Sequence, residues 1–236
     1  MPNEAGHSAQ RAVVTGSGSG IGQAIAERLL DGGWHVVGLD VSPPVIRHAA
    51  FEAVQVDLCD GDATETALRS LGTPQALVHA AGVLRVGTLG ALDAAHGRLM
   101  WQLHVDAATR LADVLLPRMA AAGTGRMVLL GSRVAQGKAG RSQYAATKAA
   151  LVALARSWAA EVVSRGVTVN VVSPAATQTA MLDDPARAAE APKLPPLGRL
   201  IRPQEIAALV AYLLSSDAAA ITGQDILVCG GASLAG

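Results

Sequence analysis

The sequence predicts an α/β fold: a doubly wound, seven-stranded parallel sheet with helices on both faces. Three observations carry that expectation. Short apolar runs alternate with longer amphipathic stretches, the order that strand–helix–strand crossovers require. A glycine-rich turn follows the first apolar run and opens the first helical stretch. The 236 residues, half of them hydrophobic but only 3% aromatic, suit one large core of Ala, Val and Leu.

The elements follow in that alternation. Strands are expected over residues 11–15, 34–40, 53–57, 76–79, 126–132, 168–172 and 225–228. Helices are expected over 20–31, 60–71, 94–121, 143–164 and 203–214. Residues 1–10 read as a disordered lead-in and 11–236 as a single nucleotide-binding domain. Six of the eleven prolines fall between Pro174 and Pro203. That stretch follows a strand end, where open α/β sheets bind ligands, so a substrate lid is expected over about residues 175–200.

Composition excludes several classes. Nineteen basic residues balance nineteen acidic ones, which argues against a nucleic-acid or anionic-membrane surface. No apolar stretch is long enough to span a membrane, and no charged start followed by a hydrophobic segment suggests a signal peptide. Cys59 and Cys229 form no metal-ligand or redox spacing, so a reduced, cytoplasmic, metal-free chain is expected.

Val13-Val-Thr-Gly-Ser-Gly-Ser-Gly-Ile-Gly22 runs from a strand through a turn into a helix. Glycines let that backbone approach a pyrophosphate, and the helix N-terminus offers free N–H groups and a favourable dipole. Asp40, about twenty residues on, can accept hydrogen bonds from an adenosine ribose and would repel a 2′-phosphate. Neither Val41 nor the loop's Ser17 and Ser19 supplies a balancing cation, so NAD is favoured over NADP. Asp57 and Leu58 are placed to meet the adenine, although Asp57 equally suits the start of a helix.

Tyr144 and Lys148 lie four residues apart, on one face of a helix. A lysine ammonium there favours the phenolate and brings the tyrosine's proton exchange toward neutral pH. Ser132 precedes them by twelve positions, at the end of an apolar run.

In motif order, the chain from Arg11 onward resembles the short-chain dehydrogenases/reductases, which have a Rossmann fold. Thr15-Gly-Ser-Gly-Ser-Gly-Ile-Gly22 is similar to their cofactor loop, and His79-Ala-Ala-Gly82 to their Asn-Asn-Ala-Gly segment. Ser132, Tyr144 and Lys148 fall at their catalytic positions, and Ser173-Pro-Ala-Ala-Thr-Gln-Thr179 resembles their Pro-Gly segment. Pro196-Leu-Gly-Arg199, Ile221-Thr-Gly-Gln224 and Gly230-Gly231 resemble their C-terminal signature. The resemblance implies that Tyr144 is the acid/base, that Lys148 lowers its pKa and holds the nicotinamide ribose, and that Ser132 binds the substrate oxygen. It implies cofactor contacts at Gly16, Ser17, Ser19, Gly20, Ile21, Gly22, Asp40, Asp57, Leu58, Ala80, Ala81, Gly82, Tyr144, Lys148, Pro174, Ala175, Thr177 and Thr179.

The chain departs from the family pattern at four places. His104 stands where the catalytic asparagine is usual, either as a proton relay or as an ordinary helix histidine with the family's water held by main chain. His79 replaces the first asparagine of Asn-Asn-Ala-Gly, so one hydrogen bond must be made differently. Ala175 replaces a glycine, and Cys229 an aspartate.

The expected activity is NAD(H)-dependent interconversion of a secondary alcohol and a ketone. The competing reading is a cofactor-binding protein with lost catalysis, acting as a regulatory or structural subunit. Gly82-Val-Leu-Arg-Val-Gly87 is similar to 2,3-dihydro-2,3-dihydroxybenzoate dehydrogenases, in which case Arg85 would pair with a substrate carboxylate. Ala- and Leu-rich faces on the helices at 94–121 and 143–164 exceed what one sheet face can cover. A homodimer or homotetramer is therefore expected.

Overall fold

The computed structural model describes residues 10–182 and 193–234. Residues 1–9 of the expected lead-in and 183–192 of the expected lid lie outside the described residues. Seven parallel strands form one sheet in the order β3-β2-β1-β4-β5-β6-β7. They are β1 (Arg11–Thr15), β2 (His35–Asp40), β3 (Phe51–Gln55), β4 (Ala76–His79), β5 (Gly125–Leu130), β6 (Val167–Pro174) and β7 (Asp225–Val228). The helices are α1 (Gly20–Asp31), α2 (Gly61–Ser70), α3 (Ala94–Trp101), α4 (Ala107–Ala121), α5 (Ser142–Val162) and α6 (Pro203–Leu214).

The central strands β4 and β6 are buried along their whole length. β4 reads as a short apolar run, while β6 also buries Thr168, Asn170 and Ser173, with Asn170 hydrogen-bonded to Ile221 O and Gln224 N–H. One face packs Leu68, Leu111, Leu115, Met119 and Leu151, from α2, α4 and α5, onto the sheet. The other receives Ile25, Leu29, Ile206 and Val210 from α1 and α6. Each such side chain contributes roughly 1.5–3 kcal/mol by leaving water. Strand order reverses between β1 and β4, which opens a crevice beyond their carboxyl ends.

Three differences from the expected elements matter for the site. β3 begins and ends two residues early, pairing Phe51 with Val36 and Gln55 with Asp40. It is a half-exposed edge strand, so burial imposes little pattern on it. β5 ends at Leu130, leaving Ser132 outside the ladder as the cap of a short 3₁₀ turn, Arg133–Gln136. The helix expected over 94–121 is interrupted by a π turn, Gln102–Asp106, at which the side chains of His79 and His104 anchor the chain.

Candidate active site

The glycine turn is folded against the end of β4. Gly16 has φ +69°, and a Cβ there would meet the Ala81 backbone at 2.8 Å, so only glycine allows this approach. Thr15 Oγ1 accepts hydrogen bonds from the Ala80 and Ala81 N–H groups, both at 3.1 Å. Asp40 closes the other side: its carboxylate accepts from Gly18 N–H and Ser42 N–H, each at 2.8 Å. The result is a cradle of small residues and main-chain N–H groups at the N-terminus of α1, with a carboxylate beside it. That donor set fits a dinucleotide.

Two buried histidines tie the reactive half together. His79 Nδ1 lies 3.0 Å from Thr15 Oγ1, and its Nε2 lies 3.2 Å from Leu103 O. A carbonyl can only accept, so Nε2 carries the proton and Nδ1 accepts from the threonine hydroxyl. His104 has the opposite tautomer. Its Nε2 accepts from Val83 N–H at 3.0 Å, so Nδ1–H donates to Thr147 Oγ1 at 2.8 Å, and that hydroxyl donates to Tyr144 O at 2.9 Å. Burial, and then the charge of Lys148, holds His79 down to about 3 and His104 well below the usual histidine range. Both rings are therefore neutral at physiological pH.

Tyr144 and Lys148 emerge from the first turns of α5, both buried. Lys148 Nζ donates to Leu130 O at 2.8 Å and lies 5.8 Å from the Tyr144 ring centre. Burial alone pushes the lysine down to about 7. The Tyr144 ring stands edge-on to His104, with centroids 5.6 Å apart. Ser132 Oγ accepts from Val134 N–H at 3.2 Å.

One cleft of about 640 Å³ collects nearly all the expected residues. Its lining includes Gly16, Ser19, Gly20, Ile21, Gly22, Asp40, Asp57, Leu58, Ala80, Ala81, Gly82, Ser132, Tyr144, Lys148, Pro174, Ala175, Thr177 and Thr179. Two expected residues lie behind it. Ser17 is buried against β2, where a side chain at Gly38 would collide with its hydroxyl. His104 is fully buried, with both ring nitrogens engaged, so the geometry gives a relay no free nitrogen. Arg85 is not among the lining residues, and its guanidinium donates to Leu84 O at 3.1 Å. Sequence reasoning missed Thr15 and Thr147, the hydroxyls that join the histidines to the site. It also missed Arg133, Lys138 and Arg141, which line the cleft. The last three were readable, as the only charged residues between Ser132 and Tyr144.

A parallel sheet with this cradle at its switch point, and a serine, tyrosine and lysine at the same cleft, defines an oxidoreductase that works with a nicotinamide dinucleotide. Comparison with known proteins agrees. A family model described as enoyl-(acyl carrier protein) reductase matches residues 16–233. The 3-oxoacyl-[acyl-carrier-protein] reductase of Salmonella typhimurium is 35% identical over 234 residues, covering 93% of this chain and 96% of its own. The short-chain reductase protein NovJ of Streptomyces niveus is 31% identical over 242 residues, covering 93% and 92%. A solved short-chain dehydrogenase/reductase family protein superposes with TM-score 0.85 at 33% identity, covering 94% and 96%. The ligand-free aldohexose dehydrogenase of Thermoplasma acidophilum gives TM-score 0.88 at 25% identity, covering 97% and 95%. The chain belongs to the short-chain dehydrogenase/reductase family.

Proposed function

We propose that the protein is an NAD(H)-dependent enzyme that interconverts a secondary alcohol and a ketone. The observation that carries this reading is the convergence of Ser132, Tyr144 and Lys148 with the glycine cradle and Asp40 on one cleft. Tyr144 exchanges the proton of the substrate hydroxyl, and Ser132 hydrogen-bonds the substrate oxygen as its charge develops. Lys148 holds the nicotinamide ribose and favours the phenolate. Its charge is costly in the bare protein, and the anionic dinucleotide restores it.

The first turn of α1, with Gly16, Ser19, Gly20, Ile21 and Gly22, receives the pyrophosphate. Asp40 receives the ribose hydroxyls, and Asp57 and Leu58 border the adenine. Ala80, Ala81, Gly82, Pro174, Ala175, Thr177 and Thr179 frame the nicotinamide end. NAD, when bound, supplies the hydride acceptor. Among the described residues, the cleft lining beside Asp40 is Leu39, Val41, Ser42 and Val56, with no cation to meet a 2′-phosphate, which supports NAD over NADP. His104 acts by holding Tyr144 and the Gly82–Val83 loop in place, and no proton step runs through it.

The test is spectrophotometric: NADH and NADPH oxidation with a panel of ketones, and the reverse with alcohols and diols. The expected result is turnover with NADH favoured in kcat/KM by about tenfold or more, one charge pair's worth of discrimination. Tight NAD(H) binding without turnover on any compound would instead make the protein a cofactor-binding subunit with lost catalysis.

Assembly and location belong to the same proposal. Ala146, Ala149, Ala153, Ser157 and Ala160 form an exposed stripe of small side chains along α5, suited to close pairing with the same helix of a second copy. A homodimer or homotetramer is expected, and a monomer in sedimentation at working concentration would remove the idea. No helix among the described residues is long and apolar enough to cross a membrane. The two free cysteines fit a reducing, cytoplasmic setting.

A further inference from the structure

We propose that the substrate end of the cleft is an oxyanion-binding subsite, formed by Arg133, Lys138 and Arg141, and that the alcohol or ketone handled here carries a carboxylate or phosphate group. This rests on the functional reading above and names its substrate class.

Charge is segregated along the cleft. Among the described residues, the only carboxylates in its lining are Asp40 and Asp57, at the end of β2 and just after β3. Arg133, Lys138 and Arg141 all follow β5, and sheet order places β5 on the far side of the switch point from β2 and β3. The segment between Ser132 and Tyr144 contains three cations and no acid, in a chain whose charges balance at nineteen each. Lys193 adds a further cation to the lining. The asymmetry therefore belongs to this site and does not reflect a basic protein.

The charges of the dinucleotide are met elsewhere in the cleft. Its phosphates are matched by main-chain N–H groups at the start of α1, on the β1 side, and Lys148 serves the nicotinamide ribose. Arg141 is 6% exposed and sits at the N-terminus of the 21-residue α5, whose first turn holds no acid to offset the helix dipole. Lys138 and Arg141 are also engaged within the fold. The packed neighbour α3 carries no acid, and the carboxylate of its N-cap Asp93 accepts from Ala95 and His96 N–H at 2.7 and 3.2 Å. Arg85, the other candidate for an anion, is not among the described lining residues, and its guanidinium donates to Leu84 O. Val83, Leu84, Leu99, Val134 and Met181 supply apolar walls at the same end. The chemistry selected is a compact apolar body with one oxyanion, held by guanidinium and ammonium groups in a partly dry site.

Calorimetric titration of the NAD⁺-saturated protein with benzoate, phenyl phosphate and benzamide tests this without requiring turnover. At least one of the two anions is expected to bind about tenfold or more tightly than neutral benzamide, the size of a charge-assisted hydrogen bond. The tighter of the two identifies carboxylate or phosphate as the group recognised. The anion preference is expected to shrink at high ionic strength. In the Arg133→Gln/Lys138→Gln double variant it falls by about tenfold or more. Equal affinity for benzamide, no binding by any of the three, or a preference that survives in the double variant would overturn the proposal. A protein that prefers an anion yet oxidises no NADH with any ketone would lose the catalytic reading and keep the subsite.

Discussion

The two halves of the cleft are built by different means. Over β1–β3 the surface is glycine, main-chain N–H and the carboxylates of Asp40 and Asp57, and the geometry of the glycine turn and Asp40 is set within about twenty-five residues of sequence. Over β4–β6 it is a network of buried polar side chains drawn from four separate segments: Thr15, His79, His104, and the adjacent Thr147 and Lys148. The first half binds through backbone shape, which tolerates side-chain change wherever glycine is not required. The second depends on every buried donor and acceptor being matched, so a single deletion leaves a partner unsatisfied.

That contrast orders the expected effects of substitution. The largest belongs to Lys148→Met. Loss of the charge beside Tyr144 should lower kcat by about two to four orders of magnitude. Yet the cofactor-free protein should become more stable at neutral pH. Burial holds the folded lysine at about 7, against 10.5 unfolded, so the unfolded chain binds the extra proton between those values. The wild type should accordingly gain stability as pH rises from 7 to 10.5, and the variant should not. The net gain at pH 7 is about 1–3 kcal/mol, because Leu130 O loses its donor. Thermal unfolding across that pH range measures both.

His104→Ala comes next. Removing the ring orphans Val83 N–H and the Thr147 hydroxyl, at a cost of about 1–3 kcal/mol in stability. With Tyr144 losing its edge-on support, kcat should fall about tenfold or more while NADH affinity holds. A positioning role leaves the shape of the pH–rate profile unchanged, whereas loss of a relay would shift it. His104→Asn, which keeps a donor and an acceptor, should recover part of the rate.

Acid sensitivity is a subtler mark of the same half. His79 and His104 are held neutral when folded and protonate near 6.5 when unfolded, so the unfolded state binds more protons below that pH. Stability should fall steadily as pH drops from about 6.5 toward the folded values, that of His79 being about 3. Denaturant titrations at pH 5 and pH 7 would show it.

The smallest effect falls on the binding half. Asp40→Ala removes one repulsion and one acceptor, so it should reduce the NADH preference by about tenfold without abolishing turnover. Comparing kcat/KM for NADH and NADPH settles it.

The same contrast explains what could be read from the sequence. The glycine turn, Asp40, and the Tyr144–Lys148 spacing are local signals, and the structure brings them to one cleft. The buried central strands were legible as apolar runs, while edge strand β3 was displaced by two residues because little burial constrains it. The π turn at 102–106 left no periodic signature: its anchors are His79, 23 residues away from its first member, and the main chain of Val83. Which tautomer each histidine takes depends on partners that no sequence spacing reveals.

The central claim is that Tyr144 moves the substrate proton in a cleft that binds the dinucleotide independently of it. Tyr144→Phe keeps the ring that packs against His104 and removes only the hydroxyl. The direct measurement pairs NADH binding, by fluorescence titration, with single-turnover NADH oxidation by a ketone that the wild type reduces. The account predicts binding within about twofold of wild type and a hydride-transfer rate lower by about two to four orders of magnitude. A variant that transfers hydride at the wild-type rate would contradict it.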